Sequence, residues 1–110
     1  DAQAGRYAVR LNGLTSLVLT KLDVLSGFER VGIVTGYRLG GRQVDFGAAG
    51  APGLELDLEW LEGWSEPIGD VRGIGALPAA ARRYVARIEE LLSTPVELVS
   101  VGRERTQLAR

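Results

Sequence analysis

Ser16-Leu17-Val18-Leu19-Thr20-Lys21-Leu22-Asp23 is a short apolar run that ends abruptly in polar residues. Such a run reads as a buried strand, and here it delivers Lys21-Leu22-Asp23 into a loop. Near the other end of the chain Val96-Glu97-Leu98-Val99-Ser100 repeats the design and runs into Val101-Gly102. If the two strands are neighbours in one parallel sheet, both loops emerge at its carboxyl edge, where open α/β sheets bind ligands.

Outward from these strands the remaining elements follow from period and punctuation. Ala4, Tyr7, Ala8 and Leu11 recur at helical spacing, predicting a short amphipathic helix over Gln3 to Leu11 that ends at Asn12-Gly13. Arg30 to Leu39 and Gln43 to Phe46 are β-type runs separated by Gly40-Gly41, which predicts a hairpin. The small residues of Gly47 to Gly53 predict a surface loop. Leu54, Leu56 and Leu58 alternate with Glu55, Asp57 and Glu59, as in a strand with one wet, acidic face closed by Gly63-Trp64. Ser65 to Ala76 has no period and predicts an extended loop. A second helix starts at Leu77-Pro78, with Pro at its first position, and stops at Thr94-Pro95. Ala81, Tyr84, Val85, Ile88 and Leu92 form its buried stripe, with Arg82, Arg83, Arg87, Glu89 and Glu90 toward solvent. The expected fold is α+β: two helices packed on a small mixed sheet with a β-hairpin, residues 1–110 forming a single domain with a charged tail from Arg103.

Composition narrows the chemistry. The 110 residues are 45% hydrophobic and 25% charged, which supports one core and not two. There is no His and no Cys, so Ser-His-Asp or Cys-His nucleophiles, zinc ribbons and disulfides are excluded within this chain. The net charge of −1 argues against nucleic acid as a partner. No apolar run reaches the roughly 20 residues of a membrane span, no signal-peptide pattern opens the chain, and the default expectation is a cytoplasmic protein. A chain that begins at Asp1 and has no Met is expected to have lost an N-terminal portion by processing or excision. Of the 13 basic residues, only Lys21 is Lys, which draws attention to its ammonium.

Lys21 and Asp23 are the residue types needed to read a guanine. The base presents its N1–H and exocyclic amino group side by side, and one carboxylate accepts from both. Adenine offers an acceptor at that ring nitrogen and would leave the carboxylate desolvated and unpaired. The Lys21 stem can lie along the base plane, a backbone N–H near Ser100 or Val101 can donate to the guanine carbonyl, and Gly102 permits close approach of the main chain. On spacing alone Lys-x-Asp is equally a solvated turn. Trp64 reads as a core-edge anchor rather than a stacking platform. The acidic face of Glu55, Asp57, Glu59 and Glu62 reads as solvated rather than as a metal site. Arg82, Arg83 and Arg87 read as surface rather than as a phosphate clamp, and Gly69 to Gly75 lacks the spacing and the Lys of a phosphate loop.

Arg6-Tyr7-Ala8-Val9-Arg10-Leu11-Asn12-Gly13-Leu14-Thr15, followed by Leu19 to Gly27, resembles the C-terminal part of the adenylosuccinate synthetase family. The resemblance continues in order through Tyr37-Arg38, Gly63-Trp64, Leu77-Pro78, Ala81, Tyr84, Ile88-Glu89, Pro95, Ser100-Val101-Gly102 and Arg105. It implies the C-terminal domain of a larger GTP-dependent ligase of purine biosynthesis, which joins IMP and L-aspartate with Mg²⁺ assisting and releases GDP and phosphate. It also implies a homodimer. GTP-binding positions carried over from it are Lys21, Leu22 and Asp23 in one loop and Ser100, Val101 and Gly102 in the other. The family's catalytic residues, phosphate loop and metal ligands have no counterpart in this segment. The family usually has Pro after Ser-x-Gly, where this chain has Arg103. The alternative expectation is a structural cap whose loops read no ligand.

Overall fold

The computed structural model describes residues 1–110. It is α+β, and its strands divide between two three-stranded sheets. Strand β1 (Leu17–Leu19) lies parallel to β5 (Val96–Ser100), and β6 (Leu108–Ala109) runs antiparallel on the far side of β5, so this sheet is the small mixed one. The predicted hairpin, β2 (Arg30–Leu39) and β3 (Arg42–Val44), forms the second sheet together with β4 (Glu55–Glu62), all antiparallel. Gly40 and Gly41 both have positive φ, as a two-residue turn between twisted strands requires.

Helix α1 (Ala2–Asn12) is bounded by the signals the sequence carries. The Asp1 carboxylate accepts the Ala4 N–H at 3.0 Å, and Gly13 closes the helix in the left-handed conformation. The Tyr37 hydroxyl also donates to that carboxylate, at 2.6 Å, tying the cap to β2. Helix α2 (Ala79–Leu92) takes Pro78 as its cap rather than as its first residue, and the Pro78 carbonyl accepts the Arg82 N–H. The helices meet where Leu92 packs on Gly5, closely enough that a Cβ on Gly5 would lie 2.8 Å from it.

The core joins both sheets to α2 through Leu22, Val31, Trp64, Ile68, Val85 and Val99. Two expectations are corrected here. The tail beyond Arg103 is not merely charged, because Leu108 and Ala109 add a strand. The acidic face of β4 is only partly wet: Glu55 and Glu62 are exposed, but Asp57 pairs with Arg38 and Glu59 with Arg87 of α2, while Leu56, Leu58 and Trp60 are also exposed. Each carboxylate raises the pKa of its arginine above the ordinary value, mainly through the side-chain hydrogen bond. The carboxylates thus satisfy arginines of the same molecule, which turns the apolar side of the strand outward. No helix is long and apolar enough to cross a membrane.

Candidate functional site

The parallel register of β1 on β5 pairs Leu17 with Val96, Val18 with Leu98 and Leu19 with Val99. Both strands therefore end at the same edge, and the loops that follow stand side by side. Between them is a cavity of about 460 Å³, lined on one side by Thr20, Lys21, Asp23 and Val24 and on the other by Ser100, Gly102 and Arg103. That volume lies within the range of small-molecule sites.

Lys21 has φ 60° and ψ 36°, one of two non-glycine residues with positive φ, the other being Ser93 at the end of α2. A left-handed backbone costs a β-carbon residue about 1–2 kcal/mol. The next residue supplies the compensation: Leu22 is 1% exposed in the core, and burying such a side chain contributes about 1.5–3 kcal/mol. The chain turns sharply at Lys21 so that Leu22 enters the core and Asp23 returns to the surface in a 3₁₀ turn, Leu22–Leu25. Lys21 and Asp23 form no salt bridge with each other or with any other residue. Lys21→Gly relieves the strain and is expected to raise the unfolding free energy by about 1 kcal/mol, read from urea denaturation. A loss of stability would show that the Lys21 side chain, not its backbone, holds the turn.

Of the six predicted site residues, Lys21, Asp23, Ser100 and Gly102 line the cavity, whereas the Leu22 and Val101 side chains are buried in the core. The second loop also differs in its free donors. The Val101 N–H is spent on the Gln107 carbonyl at 2.9 Å, and the Ser100 hydroxyl donates to the Gly102 carbonyl at 3.0 Å. Gly102 has no partner for its N–H within the chain, so its main chain keeps a donor to offer at this edge.

Gln107 was not legible in the sequence. Its side-chain oxygen accepts the Glu104 N–H at 3.0 Å, its amide donates to the Gly69 carbonyl at 3.1 Å, and its backbone carbonyl holds Val101. It lies so close to Gly102 that a Cβ there would come within 2.1 Å of its oxygen. A side chain at Gly102 would have to displace the Gln107 amide from its contacts with Gly69 and Glu104. Trp64 fixes the first loop in a similar way. It is buried, its indole N–H donates to the Ser26 hydroxyl at 2.9 Å, and its carbonyl accepts the Gly27 N–H at 2.8 Å, immediately after the 3₁₀ turn. Arg83 and Arg87 are engaged by Glu62 and Glu59, so they pair with carboxylates rather than stand free for phosphate.

The adenylosuccinate synthetase family matches residues 1–109. The chain is 47% identical to the adenylosuccinate synthetase of Frankia alni over 114 residues, covering 97% of this chain and 26% of that protein. It is 46% identical to that of Caldanaerobacter subterraneus subsp. tengcongensis over 105 residues, covering 93% and 24%. The structure superposes on fully ligated adenylosuccinate synthetase from Plasmodium falciparum with a TM-score of 0.91 at 28% identity, over 99% of this chain and 27% of that one. The chain thus spans about a quarter of the length of the relatives it matches.

Proposed function

Because this chain belongs to the adenylosuccinate synthetase family, we propose that it forms the guanine-reading wall of a GTP-dependent ligase. The observation that carries the reading is the unpaired Asp23 carboxylate beside Lys21, facing Gly102 across one cavity at the carboxyl ends of adjacent parallel strands. In this reading the Asp23 carboxylate accepts from guanine N1–H and the exocyclic amine, and the Gly102 N–H donates to the guanine carbonyl oxygen. The Lys21 methylenes lie along the base plane. Leu22 and Val101 contribute by burial, which fixes the two loops against one core.

The full enzyme joins IMP and L-aspartate: GTP phosphorylates the IMP 6-oxygen, and the aspartate amine displaces the phosphate. The remaining three quarters of the family's polypeptide supplies the phosphate contacts and the catalytic residues, in a cytoplasmic homodimer. Mg²⁺ would assist that transfer, held in this reading by residues of the family's polypeptide outside this segment. The segment alone is accordingly expected to turn over no substrate and to bind GTP weakly, since phosphate and metal contacts supply most of the affinity.

Calorimetric titration tests the reading in a full-length carrier, the Frankia alni relative with this segment in place of its own matching quarter. GDP is expected to bind well ahead of ADP, and Lys21→Gly is expected to weaken GDP despite stabilising the fold. Equal affinity for the two nucleotides would favour a purely structural cap.

A further inference from the structure

The outer face of β4 breaks the rule that a half-exposed strand turns its polar side to water. Leu56, Leu58 and Trp60 point outward and are 50%, 47% and 52% exposed, and Phe28 beside them is 58% exposed. The alternate residues Asp57 and Glu59 are turned to arginines of the same molecule. Four large apolar side chains, each about half exposed, leave on the order of 400 Å² of apolar surface in water, as much as the largest patch of a typical monomer. The patch is shaped as well as apolar. Trp60 lies flat over Gly32, where a Cβ would be 3.1 Å from the ring, and the Arg30 guanidinium covers the ring at 4.9 Å. Phe28 and Trp60 continue it into a hollow of about 680 Å³ that reaches Trp64.

We propose that this face is an internal docking surface, covered in the full-length protein by the three quarters of the family's polypeptide that this chain does not span. The relatives carry the segment as one stretch of a chain about four times longer, and the solved relative keeps this fold within such a chain. A covering element in the same polypeptide is present at high effective concentration and so outcompetes a second copy for the face. Burying the face also accounts for the strand's polarity: Asp57 and Glu59 lie on the opposite side, paired to Arg38 and Arg87, so neither carboxylate would have to be buried under the covering element. The proposal rests on family membership and not on the guanine reading.

Hydroxyl-radical footprinting of the full-length carrier tests it residue by residue. Oxidation of Leu58 and Trp60 is expected to be lost, down to the level of the buried Trp64, at every protein concentration. Leu58→Glu in the carrier is expected to lower its thermal midpoint, and the footprint of the unsubstituted carrier needs no variant that might misfold. Oxidation of Leu58 and Trp60 at solvent rates would overturn the proposal. Protection that appears only at concentrations where sedimentation shows association would overturn it in favour of a second copy. Nucleotide binding enters none of these readouts, so the guanine reading can fail while the docking face stands, and the reverse.

Discussion

Asp23→Asn in the full-length carrier is expected to weaken GDP by roughly 10- to 100-fold and leave ADP unchanged, collapsing the discrimination between them. The magnitude follows from losing one charge-assisted hydrogen bond, worth about 1.5–3 kcal/mol. Guanine presents two donors side by side, and an asparagine amide meets one of them with its own NH₂ group. The same donor-acceptor logic predicts a gain. Xanthine carries an N1–H donor next to a carbonyl acceptor, which complements an amide, so the variant is expected to bind xanthosine diphosphate better than the parent does. Titrating GDP, XDP and ADP into both proteins checks the pair of changes. A variant that still prefers GDP over ADP to the original extent would remove Asp23 from the base site, and with it the function proposed for this cavity.

The largest loss of stability is expected from Gly63→Ala. A Cβ at Gly63 would stand 1.9 Å from the Phe28 carbonyl oxygen and 2.9 Å from its carbon, both main-chain atoms. The Gly63 N–H donates to the Glu29 carbonyl at 2.8 Å, so the two segments cannot separate without breaking the end of the β2–β4 ladder. Trp64 would move with them, and through Ser26 and Gly27 so would the end of the Lys21–Asp23 loop. Overpacking against backbone is expected to cost about 3 kcal/mol or more, a large share of the 5–15 kcal/mol that holds a domain of this size. Urea unfolding measures the loss as a lower midpoint. A loss under about 1 kcal/mol would mean that the loop between β1 and β2 yields easily and is a poor scaffold for a base site.

The features legible in the sequence are those set by neighbours in the chain. Asp1 and Gly13 bound α1 because capping is a matter of a few residues, and Gly40-Gly41 specifies its turn because only glycine enters positive φ freely. Lys21 and Asp23 stand out because an apolar run ends at them, and the parallel pairing of β1 with β5 then places the second loop as expected. Leu22 enters the expected site through family resemblance and not through spacing.

Tertiary structure alone decided three other points. Alternation along β4 shows that Leu56, Leu58 and Trp60 share a face, but not which way the face looks. That depended on Arg38 and Arg87, 19 and 28 residues from their carboxylate partners. The burial of Leu22 and Val101, two predicted binding residues, followed from the left-handed turn at Lys21 and from the pairing of β5 with β6. Gln107, a neutral residue in a polar tail, became the clamp on Gly102 because the chain folds back across 38 residues to Gly69. Spacing records which side chains can act together, whereas the side of a strand that meets water, and the main-chain donor left free in a loop, are set by partners that only folding brings within reach.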